Sequence, residues 1–173
     1  MRILLEQIGA EPFQWQETVE VTAAELERTE LLELGEVSWS GRVWTDGPGY
    51  RLEASISYEQ TVACDRCLSP IVQTVENDIA LLVLPNAPQP TDEEIELSSE
   101  ELEVLYLEGE EIDARRVLIE QLQLNVPMRA ICKDDCQGLC PQCGVNRNLE
   151  ECSCETETTD PRWAALRSLQ KDS

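Results

Sequence analysis

Tyr50-Arg-Leu-Glu-Ala-Ser-Ile-Ser-Tyr58-Glu-Gln-Thr-Val-Ala63 sets Leu52, Ala54, Ile56 and Tyr58 on one side of an extended chain. That is the period of a strand with one buried face. The stretch runs through Cys64-Asp-Arg-Cys67-Leu-Ser-Pro70 into a second strand-like segment, Ile71 to Leu84, so a turn holding two cysteines joins two strands. Upstream, Val37, Trp39, Gly41 and Val43 alternate with Ser38, Ser40, Arg42 and Trp44. Asp46-Gly-Pro-Gly49 is turn chemistry, because Gly supplies positive φ and Pro fixes a bend. Together these strands predict an antiparallel meander. Trp39 and Trp44 fall on opposite faces by parity, one for the core and the other free for contact.

Outward from this centre, Ile3 to Phe13 reads as an opening strand and turn. Thr22-Ala-Ala-Glu25 is a capping box and opens a short helix through about Leu34. Pro85, Pro88 and Pro90 end the sheet, and a further extended segment is expected around Glu103 to Leu107. Asp113 caps a helix to about Leu124 whose apolar side is Val117, Leu118, Ile119 and Leu122, and Pro127 stops it. Asp160-Pro161 starts a terminal helix with Trp163, Leu166 and Leu169 on one stripe. The expected fold class is α+β: an antiparallel β-meander or barrel-like sheet, a few helices and a C-terminal Cys-rich, zinc-ribbon-like segment. Three parts follow: a strand-rich acidic body (1–85), an acidic connector (86–112), and a helix plus Cys-rich segment and terminal helix (113–173).

The 173 residues include 35 Asp+Glu against 13 Lys+Arg, eight Cys and no His, for a formal charge of −22. Without imidazole, Ser-His-Asp and Cys-His nucleophile pairs and HExxH metalloproteases are excluded. Residues 1–112 hold 25 acidic and 5 basic side chains, residues 113–173 hold 10 and 8. Phosphates are therefore repelled across most of the surface, and only the C-terminal part is nearly balanced. Thr91 to Glu111 carries ten carboxylates and no base, which reads either as a solvated connector or as a docking surface for a basic partner. Met1-Arg-Ile-Leu-Leu-Glu is too short an apolar run for a signal peptide, and Ile79 to Pro85 is far short of a membrane span. The expectation is a soluble cytoplasmic protein that engages no membrane and no small-molecule substrate. In that compartment clustered thiols bind metal more often than they form disulfides.

The cysteines are spaced as Cys64-x2-Cys67, Cys132-x3-Cys136, Cys140-x2-Cys143 and Cys152-x-Cys154. Two thiolates two residues apart in a tight turn face one ion, and four such pairs make two four-cysteine zinc sites. Cys140-Pro-Gln-Cys143-Gly144 is a good knuckle, since Pro stiffens the entry and Gly lets the backbone turn. One pairing joins Cys64 and Cys67 to Cys132 and Cys136, and Cys140 and Cys143 to Cys152 and Cys154. The rival puts Cys132, Cys136, Cys140 and Cys143 on one ion and leaves Cys64, Cys67, Cys152 and Cys154 for the other. Arg129 to Cys154 has no regular period and too little apolar surface to order itself, so the ions must hold it. Each closed site adds folding free energy on the order of 10 kcal/mol and a charge of about −2. Arg66, Arg129, Lys133 and Arg147 lie beside or between the cysteines; they either offset the thiolates or form a small phosphate- or partner-contacting surface. An iron–sulfur cluster, and a thiol redox or metal-transfer role for the CxxC pairs, are the competing chemistries.

Taken in order, Cys64-Asp-Arg-Cys-Leu-Ser-Pro70, a helix ending Leu124-Asn-Val-Pro-Met128, the run from Cys132 to Asn148, Cys152-Ser-Cys154 and Asp160-Pro-Arg-Trp163 resemble the YceD-like family. That family comprises large ribosomal RNA accumulation proteins of bacteria and plastids. Residues 1–60 share only its strand-rich character, and Val145 and Arg147 depart from the small and aliphatic residues expected before Asn148. The resemblance implies a non-enzymatic role in building or maintaining the large ribosomal subunit through its 23S-type rRNA. The partners it implies are that rRNA, a basic ribosomal protein, or both.

Overall fold

The computed structural model describes residues 1–85, 103–107 and 109–154. Its spine is a hairpin of two long strands, β5 (Gly49–Ala63) and β6 (Pro70–Leu84), paired in register from Tyr50 opposite Val83 to Ala63 opposite Pro70. At about 3.4 Å per residue the hairpin reaches about 50 Å. The other edge of β5 is shared. β4 (Val37–Asp46) covers Gly49 to Ser57, and β3 (Leu31–Leu34) takes over from Gln60 to Val62 with a register shift. β2 (Phe13–Val19) pairs with β4, and β7 (Val104–Tyr106) lies parallel to β6. A separate pair joins β1 (Arg2–Leu4) to β8 (Glu111–Asp113), which leads into α1 (Ala114–Asn125).

The sheet buries one face. On β5, Leu52, Ala54, Ile56, Tyr58 and Val62 are buried while Ser55, Ser57 and Glu59 face solvent, as expected of an antiparallel sheet covered on one side. The core they enter also takes Ile3 of β1, Ile112 of β8, and Ala114, Leu118 and Leu122 of α1. Polar ties fix helix to sheet. Buried Gln60 donates to the Asn125 carbonyl at the helix end (3.3 Å), and Asn77 of β6 donates to Gln121 (3.3 Å). At the other end, the Asp113 carboxylate accepts the Arg116 N–H at 3.1 Å, a cap worth about 1 kcal/mol.

The α+β class, α1 with its Asp113 cap, and the extended segment near Glu103 to Leu107 agree with the sequence. Other expectations need correction. The sheet is open, because β2 and β7 end it without meeting, and β7 breaks the antiparallel meander. The opening strand is two strands separated by a 3-10 turn (Leu5–Gln7), in which the Leu4 N–H donates to the Gln7 side chain. The helix from Thr22 to Leu34 shrinks to one 3-10 turn (Ala23–Leu26). Its capping box exists, with the Thr22 N–H donating to Glu25 at 2.9 Å, but Glu27 turns left-handed at φ 51°. Leu31 to Leu34 are then drawn to the edge of β5 that β4 leaves bare, and ladder hydrogen bonds outweigh local helix preference. The terminal helix from Asp160 and most of the acidic stretch from Thr91 lie outside the described residues.

Trp39, 1% exposed, is the core tryptophan; Trp44 lies partly exposed beneath the Arg42 guanidinium, 5.1 Å from its ring centre. Trp15 packs on Trp39 (5.4 Å between ring centres) because Gly41 leaves room for it. A Cβ on Gly41 would drive into the Trp15 ring and approach the Glu53 carbonyl to 2.7 Å. Gly41→Ala is therefore expected to destabilise the protein by about 2 kcal/mol, the scale of core overpacking. Urea unfolding checks it through a lowered midpoint at unchanged slope.

Candidate metal centres

The β5–β6 hairpin ends in a knuckle. Leu68 N–H donates to the Cys64 carbonyl at 2.8 Å and Cys64 N–H to the Ser69 carbonyl at 2.9 Å, turning both Cys64 and Cys67 inward. A second knuckle repeats the plan, with Gly144 N–H donating to the Cys140 carbonyl at 2.9 Å. The residue after each second cysteine is left-handed: Gly144 at φ 74° and Leu68 at φ 59°. Glycine adopts that conformation freely, whereas Leu68 costs about 1 kcal/mol.

The thiols form two groups, Cys64, Cys67, Cys132 and Cys136 in one and Cys140, Cys143, Cys152 and Cys154 in the other, with all sulfurs in each group within 4.8 Å of one another. The rival grouping of the two inner CxxC-like pairs does not form. All eight are free thiols. In the first cage Cys64 Sγ lies 3.9 Å from Cys136 Sγ, and Cys67 Sγ 3.6 Å from Cys132 Sγ. A metal–sulfur bond of about 2.3 Å gives a tetrahedron with edges of about 3.8 Å, so the sulfurs stand where a tetrahedral ion needs them. Cys64, Cys67 and Cys136 are buried here. In the second cage only Cys140 is, and Cys143 is exposed.

Main-chain bonds lock the hairpin tip to the C-terminal segment. Asp65 N–H donates to the Ala130 carbonyl (2.9 Å), and Ala130 N–H returns the bond to the Asp65 carboxylate (2.9 Å). Leu139 N–H donates to the Arg66 carbonyl (2.9 Å), against which Gly138 packs so closely that a Cβ would lie 2.9 Å away. The Arg66 guanidinium donates to the carbonyls of Asp134 and Cys136, both at 3.2 Å. Arg129 and Arg147 are exposed, with no ion pair among the described residues, and Lys133 sits 3.7 Å from Asp135.

The thiols of each cage ionise unequally. Burial pushes Cys64 up, but N–H groups of Cys132, Arg66 and Cys67 together outweigh it and bring it down to about 6. The Ser69 hydroxyl and backbone lower Cys67. N–H groups of Cys143 and Gln142 bring Cys140 down to about 6. Burial and the neighbouring thiols push Cys132 up to about 12, and Cys143 does the same to Cys154. Cys152 is also raised: the Cys154 N–H lowers it, but the Cys140 sulfur and burial win.

Three polar side chains at the first cage went unmarked in the sequence: Ser69, beside Cys67 Sγ at 3.4 Å, and Asn146 and Asn148. Their position in Leu-Ser-Pro and Asn-Arg-Asn, flanking the knuckles, is the local cue.

Residues 52–170, a span that holds both cages, match the family model for "Large ribosomal RNA subunit accumulation protein YceD". The chain belongs to the YceD family. It is 35% identical over 125 residues to an uncharacterized protein of Mycobacterium tuberculosis, covering 72% of this chain and 58% of that one. It is 33% identical over 64 residues (37% of this chain, 20% of the other) to the chloroplastic YCED homolog 1 of Arabidopsis thaliana, a large ribosomal RNA subunit accumulation protein. YlbN of Bacillus subtilis aligns at 23% identity over 96% of this chain and 93% of its own. This chain thus spans under two thirds of the mycobacterial relatives it matches. No solved structure matches it. Among the described residues no helix is long and apolar enough to cross a membrane.

Cys64→Ser and Cys152→Ser are each expected to remove one metal equivalent, a different one in each variant, as counted by native mass spectrometry. Metal uptake at pH 7 should release at least the protons of Cys132, Cys152 and Cys154, whose raised thiols are protonated there. Because the bound form holds thiolates, affinity rises with pH. A pH-indicator titration reads both effects.

Proposed function

We propose that this protein is a non-enzymatic, zinc-stapled factor for accumulation of the large ribosomal RNA subunit, working in the cytoplasm by binding a basic protein of that subunit. The observation that carries the reading is a charge of −22 on a chain of the YceD family. Two closed cages of about −2 each deepen that charge. Such a field attracts a Lys/Arg-rich partner quickly and repels bare phosphate.

Zinc is the ion we assign, since four thiolates at tetrahedral spacing suit it. Four protein ligands leave no open coordination position, and the sequence has no His to serve as base, so the cages are structural. Burial of Cys64, Cys67 and Cys136 speaks against a thiol redox or metal-transfer role for the first pair.

The metal lobe is the proposed contact region beside the acidic body. Its arginines each sit within two residues of an exposed apolar side chain: Met128 by Arg129, Leu68 by Arg66, Leu149 by Arg147, exposed 101%, 62% and 79%. Arginine with methionine is enriched at protein interfaces. Leu68 also holds a strained conformation that its sister knuckle gives to glycine, which points to a use for its side chain. A second reading, direct rRNA contact, draws on the same Arg66, Arg129, Lys133 and Arg147, because Arg129 and Arg147 lack ion-pair partners among the described residues.

Binding of isolated large-subunit proteins is expected to be tight at low ionic strength and to weaken steeply with salt. Calorimetry across a salt series tests it, and salt-insensitive binding or none at low salt overturns it. Tighter binding to 23S-type rRNA than to any of its proteins would favour the second reading.

A further inference from the structure

The second knuckle sits at the turn of a small ribbon. Cys140 N–H donates to the Val145 carbonyl at 2.8 Å, Arg147 N–H to the Gly138 carbonyl at 3.0 Å, and Leu139 bridges Asn146. The outgoing arm, fixed by the second cage, carries Asn146 and Asn148 to the first cage. Asn148 Nδ2 donates to Cys136 Sγ at 3.4 Å, and its Oδ1 accepts the Gln137 N–H at 2.9 Å. Asn146 Oδ1 accepts from Asn148 N–H (3.0 Å) and Nδ2 (2.9 Å), and Asn146 Nδ2 donates to Ser69 Oγ at 3.2 Å. Ser69 Oγ in turn accepts from the Cys67 thiol at 3.4 Å, and once that thiol is ionised the same hydroxyl is its donor.

We infer that the two metal centres are coupled: the Asn146–Asn148 pair, positioned by the ion of the second cage, is a hydrogen-bonding shell for two sulfurs of the first. The inference rests on the metal reading above. Filling the second cage freezes the ribbon and aims Asn148 at Cys136; filling the first pulls on the same asparagines, so each ion raises affinity for the other by the same factor. Donors to ligating atoms typically change metal affinity about 10- to 100-fold. One force opposes this, the mutual repulsion of two dianionic cages. It weakens in salt, whereas contacts through partly buried side chains do not, so coupling that persists at high ionic strength belongs to the asparagines.

The test loads full-length metal-free protein with 113Cd2+ in place of zinc and reads native mass spectra and 113Cd resonances. With one equivalent, mixed empty and doubly loaded chains are expected to outnumber singly loaded ones. Asn148→Leu should raise the singly loaded fraction, lower first-cage affinity about 10-fold or more, and move only the resonance that Cys64→Ser abolishes. Asn146→Leu, which leaves the Cys136 contact in place, should do the same more weakly and serves if Asn148→Leu does not fold. Cys152→Ser should weaken the first cage as Asn148→Leu does. A statistical mixture of loaded states, or an Asn148→Leu protein with both resonances and both affinities unchanged, overturns the coupling while leaving the metal reading intact. A chain that takes up no metal overturns both.

Discussion

One junction determines the shape of this molecule: the tip of a hairpin about 50 Å long meeting a segment of chain more than sixty residues later. Four sulfurs converge there, three of them buried, flanked by the reciprocal bonds of Asp65 and Ala130 and by Arg66 reaching the carbonyls of Asp134 and Cys136. Among the described residues, the segment from 131 to 154 adds no buried member to the main core, whose last member there is Ala130. Without an ion, its order would rest on a few hydrogen bonds against a chain-entropy cost of about 1–2 kcal/mol per residue. Sulfur coordination is the term large enough to offset that cost.

The body and the lobe are held by different physics. Apolar burial secures the sheet, α1 and the β1–β8 pair, and this includes tying the first strand of the chain to the residues just ahead of the helix. Main-chain hydrogen bonds, joined in the proposed reading by metal coordination, secure the lobe, where Leu68, Met128 and Leu149 stand exposed. In the proposed reading, the acidic body draws in a basic partner by charge and the exposed apolar side chains of the lobe retain it. The lobe's rigidity matters for that use, since preorganised side chains lose less entropy on binding.

The long strands, the capped helix and the cysteine pairs were legible because each has a local cause: alternation, an aspartate ahead of an apolar stripe, thiols two residues apart. The failures also have causes. Thr22 and Glu25 do form their capping box, yet the helix stops after one turn because β5 offers Leu31 to Leu34 an unpaired edge, and no local pattern reports that. Whether the sheet is an open meander or barrel-like was not legible, because alternation fixes which face is buried and not how many strands surround it. Asn146 and Asn148 were marked only by their place beside a knuckle, an ambiguous cue, since asparagines near glycine are equally at home in any turn.

By itself the sequence determined the chemistry of this protein: eight thiols in knuckle spacing, a surface of carboxylates and no imidazole, all properties of residue type and short-range order. Only the tertiary structure decided which sulfurs share a cage and which side chains serve them. Partners in a cage are set by where a rigid hairpin delivers Cys64 and Cys67, and that position depends on the packing of the whole sheet against α1.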